Sequence, residues 1–238
     1  MSSHRGRALG FVLAFWTTAV AAQTLQLPQN LIDFNSQSGK TFFFESDASE
    51  SYFAVSEQFI SQQSQTFCGV ASMVMVLNAL GLPAPAVPEW KPYRTFTQDN
   101  VLDKTCETVL RRAVIAKQGM TLDQLGRLLA LHPMTIEVHH AVDGGLDEFR
   151  ASARGYLAAK GRFVLINFLR STIGEGPGGH VSPLAAYDPK SDRFLMLDVA
   201  RYKYPPVWVK ASELFDSMNT KDSVSNKTRG YVLIAAKN

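Results

Sequence analysis

The chain is 238 residues long, 46% hydrophobic, 19% charged and 11% aromatic, with a mean hydropathy of −0.04. Those proportions exclude an intrinsically disordered, collagen-like or disulfide-stapled chain. A formal charge of +3, from 24 Lys+Arg and 21 Asp+Glu, comes without the basic block that a nucleic-acid-binding face needs, and two cysteines, Cys68 and Cys106, build neither a zinc ribbon nor a disulfide framework.

Taken in chain order, the N-terminus reads as a targeting segment. His4, Arg5 and Arg7 form a positive start, Leu9 to Val20 form a short apolar stretch, and Ala19-Val20-Ala21 supplies small residues for cleavage. The expectation is a signal peptide over residues 1–21, export to a bacterial periplasm, and one domain over 22–238. The stretch is too short for a membrane span, and nothing later is long and apolar enough, so the mature protein is expected to have no membrane partner. Helical patterns follow at Ser56–Ile60, at Cys68–Leu80 (closed by Gly81 and Pro83) and, beyond the Pro-rich loop from Leu82 to Pro92, at Leu122–Leu131. Thr121 and Gln124 make a capping box for the last of these. A strand is expected at Ile136–His140 and a helix at Leu146–Ala159. Strand patterns then follow at Phe163–Leu169, Val181–Tyr187, Phe194–Val199, Pro206–Val209 and Tyr231–Ala235, with a short helix at Ser212–Met218. Helices first and antiparallel strands second is an α+β order, without βαβ alternation.

The chemistry concentrates at Cys68. It opens an apolar helix, where unpaired N–H groups and the positive end of the helix dipole favour a thiolate. Gly69 lets backbone approach a substrate closely. Gln62, on the entering loop, is placed to offer an amide to a developing oxyanion. The blander reading of Cys68 is a buried structural thiol at a helix start. A nucleophilic cysteine needs a base, and four histidines lie beyond the targeting segment. His132 precedes Pro133 and reads as a surface turn. His139 and His140 point to opposite faces of a strand. His180 follows the small-residue loop Gly174-Glu175-Gly176-Pro177-Gly178-Gly179 and starts an apolar strand. A hairpin centred on Pro189 pairs Tyr187 with Ser191 and, in the same register, His180 with Asp198. A carboxylate there would orient the imidazole. The alternative is an isolated buried Asp and an unrelated His, and a one-residue slip would reverse the pairing.

The segments Cys68–Gly81, Lys91-Pro92-Tyr93-Arg94, Gly119-Met120-Thr121-Leu122, Gly179-His180-Val181-Ser182-Pro183 and Asp198–Val209 resemble phytochelatin synthases. The likeness runs from about Leu25 to the C-terminus. It implies a papain-like cysteine-protease fold with nucleophile Cys68, base His180, orienting Asp198 and oxyanion donor Gln62. It also implies glutathione as substrate, cleaved at its Cys–Gly bond through a γ-Glu-Cys thioester that passes to water or to a second glutathione. Asp222 and Arg229 would hold the γ-glutamyl amine and carboxylate, with Gly179 in the same binding set and Arg170 as a further basic candidate. Plant and yeast relatives carry an additional cysteine-rich C-terminal region associated with metal sensing, which these residues lack. No cofactor is therefore expected, no metal-binding residues are assigned, and cadmium or zinc would enter as metal–glutathione thiolate. A homodimer is left open. Two other functions fit the same residues: a cysteine peptidase or amidase acting on another substrate, and an exported thiol- or metal-binding protein. Cys106 reads as a bystander, with an oxidative pairing to Cys68 as the alternative.

Overall fold

The computed structural model describes residues 24–237; the expected signal peptide lies outside them. The N-terminal half carries the short strand β1 (Ile32–Asp33) and six helices: α1 (Gln37–Glu45), α2 (Glu50–Glu57), α3 (Cys68–Ala79), α4 (Lys104–Val109), α5 (Arg112–Gln118) and α6 (Leu122–Leu129). The second half contains β2 (Met134–His140), α7 (Leu146–Leu157), β3 (Arg162–Leu169), β4 (Gly179–Asp188), β5 (Arg193–Met196), β6 (Val207–Lys210), α8 (Ala211–Met218) and β7 (Gly230–Ala236). The seven strands form one antiparallel sheet in the order β1-β6-β5-β4-β3-β7-β2. This is the expected α+β architecture.

The sheet is covered on both faces, which explains the near-continuous apolar runs of β3 and β4. Phe163, Leu165, Val181 and Ala185 face the layer built by α3 and α6. Val164, Ile166, Phe168 and Leu184 face the layer of α7 and α8. Every residue of α3 from Cys68 to Leu77 is buried, so its sequence is apolar all round and not only on one stripe. The capping box at α6 forms as expected, Thr121 accepting from the Gln124 N–H while the Gln124 side chain accepts from the Thr121 N–H.

Three expectations are corrected. The helix placed at Ser56–Ile60 spans Glu50–Glu57, ending where it was expected to begin. The β4–β5 hairpin pairs Tyr187 with Phe194, and a bulge at Ala185 shifts the ladder again to bring Leu184 opposite Met196. β5 then stops at Met196, so Asp198 lies beyond the strand and has no ladder partner. His132 is half-buried against the Phe96 ring, with burial lowering its pKa.

Candidate active site

Cys68 is the first residue of α3 and is 8% exposed. The preceding residue, Phe67, offers no side-chain cap, so the helix N-terminus keeps its N–H groups for the sulfur or for an anion above it. His180 is the second residue of β4. Its Nε2 lies 2.8 Å from Asp198 Oδ1, which leaves Nδ1 for the thiol. The pairing inferred from hairpin register therefore exists by another route. After β5 the chain turns out of the ladder, and Asp198 is fixed by the Ala200 N–H at 2.7 Å and by Arg170 Nη2, 2.7 Å from Oδ2.

The electrostatics follow from burial and mutual charge. Burial pushes the Cys68 thiol up, but the facing His180 imidazole and the Val181 and Gly69 N–H groups bring it below its ordinary value. Burial disfavours the His180 imidazolium and Arg170 opposes it, but the Asp198 carboxylate and the Cys68 sulfur together outweigh both and raise its pKa. Asp198 is itself held well below the usual carboxylate range, because His180, Arg170 and the Ala200 N–H overcome its own burial. The set is built for a thiolate–imidazolium pair backed by a carboxylate. Cys106 is the contrast. It is buried, donates to the Val101 carbonyl and is pushed up to about 11 by burial, so it is an inert thiol. Both cysteines are free.

Arg170, expected as a basic residue near the substrate, is buried beneath the site. It joins Asp198 to Glu175 and lies over the rings of Phe168 and Tyr204. Gln62 is buried on the entering loop, its backbone N–H bonded to the Val199 carbonyl. Its amide nitrogen donates to the Ser64 carbonyl at 2.7 Å and to the Tyr202 hydroxyl at 3.0 Å. Both amide hydrogens are thus taken, and the Tyr202 contact must be exchanged before Gln62 can serve an oxyanion. The space above Gly69, expected to admit a substrate, is filled by Met120: a Cβ at Gly69 would lie 2.6 Å from the Met120 sulfur.

A cavity of about 320 Å³ opens at Cys68 and His180, within the range of small-ligand sites. Met120 and Thr121 form part of one wall, and Asp222 and Arg229 part of another. Asp222 caps its own turn through the Val224 N–H at 2.8 Å. Arg229 is buried and anchored by Nη1 to Thr220 Oγ1 at 3.1 Å and to the Lys221 carbonyl at 2.8 Å, leaving Nε buried without a partner. Its guanidinium lies over Gly179, where an added Cβ would be 3.1 Å from Nη2. Asn167, buried between β4 and β7 with its Oδ1 unpartnered, also faces the cavity. Cys68, His180, Gly179, Asp222 and Arg229 all line this one cavity, while Asp198 stands behind His180. Gln62 does not line it. Sequence reasoning missed Asn167, Met120 and Tyr202, each of which looks like ordinary packing. Glu175 was missed too, although an acid alone in a glycine-rich loop was a readable signal.

A helix-borne cysteine, a strand-borne histidine and a carboxylate behind it, on an α+β scaffold, place the chain in the papain-like fold class. The phytochelatin synthase family model matches residues 22–231. The chain is 33% identical over 208 residues to glutathione γ-glutamylcysteinyltransferase 3 of Lotus japonicus, covering 86% of this chain and 42% of that protein. It is 30% identical over 212 residues to the glutathione γ-glutamylcysteinyltransferase of Schizosaccharomyces pombe, covering 88% and 50%. The chain belongs to the phytochelatin synthase family, and it spans about half or less of the length of these relatives.

Proposed function

We propose that the protein is a glutathione γ-glutamylcysteinyltransferase and hydrolase. The observation that carries this reading is one cavity that presents a thiolate–imidazolium pair together with a carboxylate and a guanidinium, Asp222 and Arg229. A γ-glutamyl end bears one ammonium and one α-carboxylate, the complement of that pair. The names of the relatives point to the same substrate.

In this mechanism the Cys68 thiolate attacks the carbonyl carbon of the Cys–Gly bond. The oxyanion is met by the N-terminal N–H groups of α3 and by Gln62, once Tyr202 releases it. His180 gives its proton to the departing glycine nitrogen as the C–N bond breaks, leaving a γ-Glu-Cys thioester on Cys68. His180, now neutral, accepts a proton from water or from the α-amine of a second glutathione. That nucleophile displaces the sulfur, giving γ-Glu-Cys or (γ-Glu-Cys)₂-Gly. Cadmium or zinc enters as a thiolate complex of glutathione. Residues 1–21 direct export, which places the reaction in the periplasm.

The test is to incubate the reduced protein with glutathione, with and without cadmium, and to identify products by mass. Glycine with γ-Glu-Cys marks hydrolysis, and (γ-Glu-Cys)₂-Gly marks transfer. Neither product, with Cys68 still reactive, would move the substrate to another peptide or amide.

A further inference from the structure

Glu175 is a buried acid that the mechanism above does not use. Its side chain is fully enclosed, Oε2 pairs with Arg170 Nη1, and Oε1 has no hydrogen-bond partner. A buried carboxylate with an idle oxygen is costly, and its presence calls for a reason. The loop that carries it is closed on itself: the Arg170 N–H bonds to the Gly178 carbonyl and the Glu175 N–H to the Arg170 carbonyl, both at 3.1 Å. The turn between them passes through Gly174 in the left-handed region, at φ 83°. The Gly176 N–H donates to the Tyr204 hydroxyl at 2.9 Å. The carboxylate is therefore held in place by the backbone.

We propose that Glu175 is a positioning residue that occupies the far side of Arg170 and so keeps the charge of Asp198 available to His180. Two cations converge on Asp198, the guanidinium at 2.7 Å and the imidazole at 2.8 Å. Without a second carboxylate, Arg170 would draw on Asp198 alone and lie uncompensated near the imidazolium, which its charge opposes. With Glu175 ionised, charges alternate through Glu175, Arg170, Asp198, His180 and Cys68. The charged groups that act on Glu175 are Arg170 from its own loop, Asp198 from the segment after β5 and His180 from β4, while the Tyr204 hydroxyl, from the turn before β6, holds the neighbouring Gly176 N–H. Burial raises the Glu175 pKa and Asp198 adds to that, while Arg170 and His180 work to keep it charged.

This inference rests on the catalytic set proposed above, but its test needs no glutathione. The rate of Cys68 alkylation by iodoacetamide, read on the Cys68 peptide by mass, has two inflections with pH. The lower reports thiolate formation and the upper reports loss of the imidazolium proton. Glu175→Gln removes a negative charge at constant shape, which makes both protons easier to lose. Both inflections should move acid-ward by about half a unit to one unit. Glu175→Asp retains the charge and should leave both at the wild-type positions, even at a lower Tm. Unmoved inflections in E175Q, or an equal shift in E175D, would overturn the proposal. If E175Q does not fold, carboxyl NMR of wild-type protein labelled at Glu Cδ, with Glu175 assigned through E175D, decides. An ionised Glu175 between pH 6 and 8 is expected; a protonated one overturns the proposal. Failure of glutathione turnover with both alkylation shifts intact would instead count against the substrate reading alone.

Discussion

Asp198→Asn tests the core of the site, because it removes charge while preserving size. Asp198 Oδ1 accepts from His180 at 2.8 Å, from Arg170 at 2.9 Å and from the Ala200 N–H at 2.7 Å, while Oδ2 lies 2.7 Å from Arg170 Nη2 as an ion pair without a hydrogen bond of its own. An asparagine that keeps its oxygen at the Oδ1 position turns its NH₂ onto Arg170, donor against donor. The opposite orientation sets the NH₂ against three donors, so the first is adopted, and the ion pair between Oδ2 and Arg170 gives way to two facing donors. Three hydrogen bonds to a carboxylate become bonds to a neutral amide, a buried hydrogen bond to a charged group contributing about 1.5–3 kcal/mol, and the imidazolium that gives its proton to the departing glycine loses its counter-charge. A loss of about 3 kcal/mol from the transition state corresponds to a fall of about 150-fold in kcat. The pH dependence has a definite sign. Asp198 raises the His180 pKa, so its removal moves the alkaline limb of kcat/KM to lower pH. In stability, the depressed Asp198 pKa supplies a contribution that is present above the ordinary carboxylate range and lost as pH falls toward the folded value. The wild type therefore outlasts D198N near neutral pH, and the gap narrows below about pH 4. Glycine release from glutathione across pH, with thermal melts of both proteins, measures all three. A variant within threefold of wild-type kcat and an unmoved alkaline limb would refute the triad assignment.

Three further outcomes follow from the same geometry. Gly179→Ala places a Cβ 3.1 Å from Arg229 Nη2 and should raise KM for glutathione about tenfold by displacing the guanidinium, with kcat within threefold; an unchanged KM would remove Arg229 from the binding site. Native protein treated with a thiol reagent at neutral pH should take one label, at Cys68. Labelling of Cys106, buried and pushed up to about 11, should appear only on unfolding, and labelling of both in the native state would contradict its burial. Tyr202→Phe frees one Gln62 amide hydrogen and should leave kcat equal or up to about threefold higher, since the amide no longer has to leave a partner. A tenfold fall would assign the hydroxyl itself to catalysis.

Much of the site was legible because its chemistry shows in single residues: a cysteine at a helix start, a histidine after a loop of small residues, an acid in an apolar run. What joined them was not legible. The His180–Asp198 contact was inferred from an unbroken hairpin, whereas the ladder shifts at Ala185 and ends at Met196, and the contact arises where the chain leaves the sheet. A bulge has no sequence marker at a residue as neutral as alanine. α1, α4 and α5 were missed because they are short and are held by caps and neighbours more than by an apolar stripe; Ser36 caps α1 and Asp103 caps α4 through side-chain oxygens. Long strands buried on both faces, such as β3 and β4, came through clearly, because their apolar runs are continuous. Arg170 was read only as a further basic candidate, because a lone charge in the sequence carries no sign of its depth; it lies buried beneath the site.

The sheet order also divides the cavity between distant parts of the chain. β7 is laid down after every other strand, yet it sits between β2 and β3, and the loop leading into it carries Asp222 and Arg229. The thiol, the imidazole and their carboxylate all belong to α3, β4 and the segment after β5, which precede it along the chain. The reactive pair and the residues opposite it across the cavity are thus supplied by separate stretches of the sequence, brought together where β7 pairs with β3. Gly230–Ala236 fills the gap between β2 and β3, and the same insertion sets Arg229 beside Gly179.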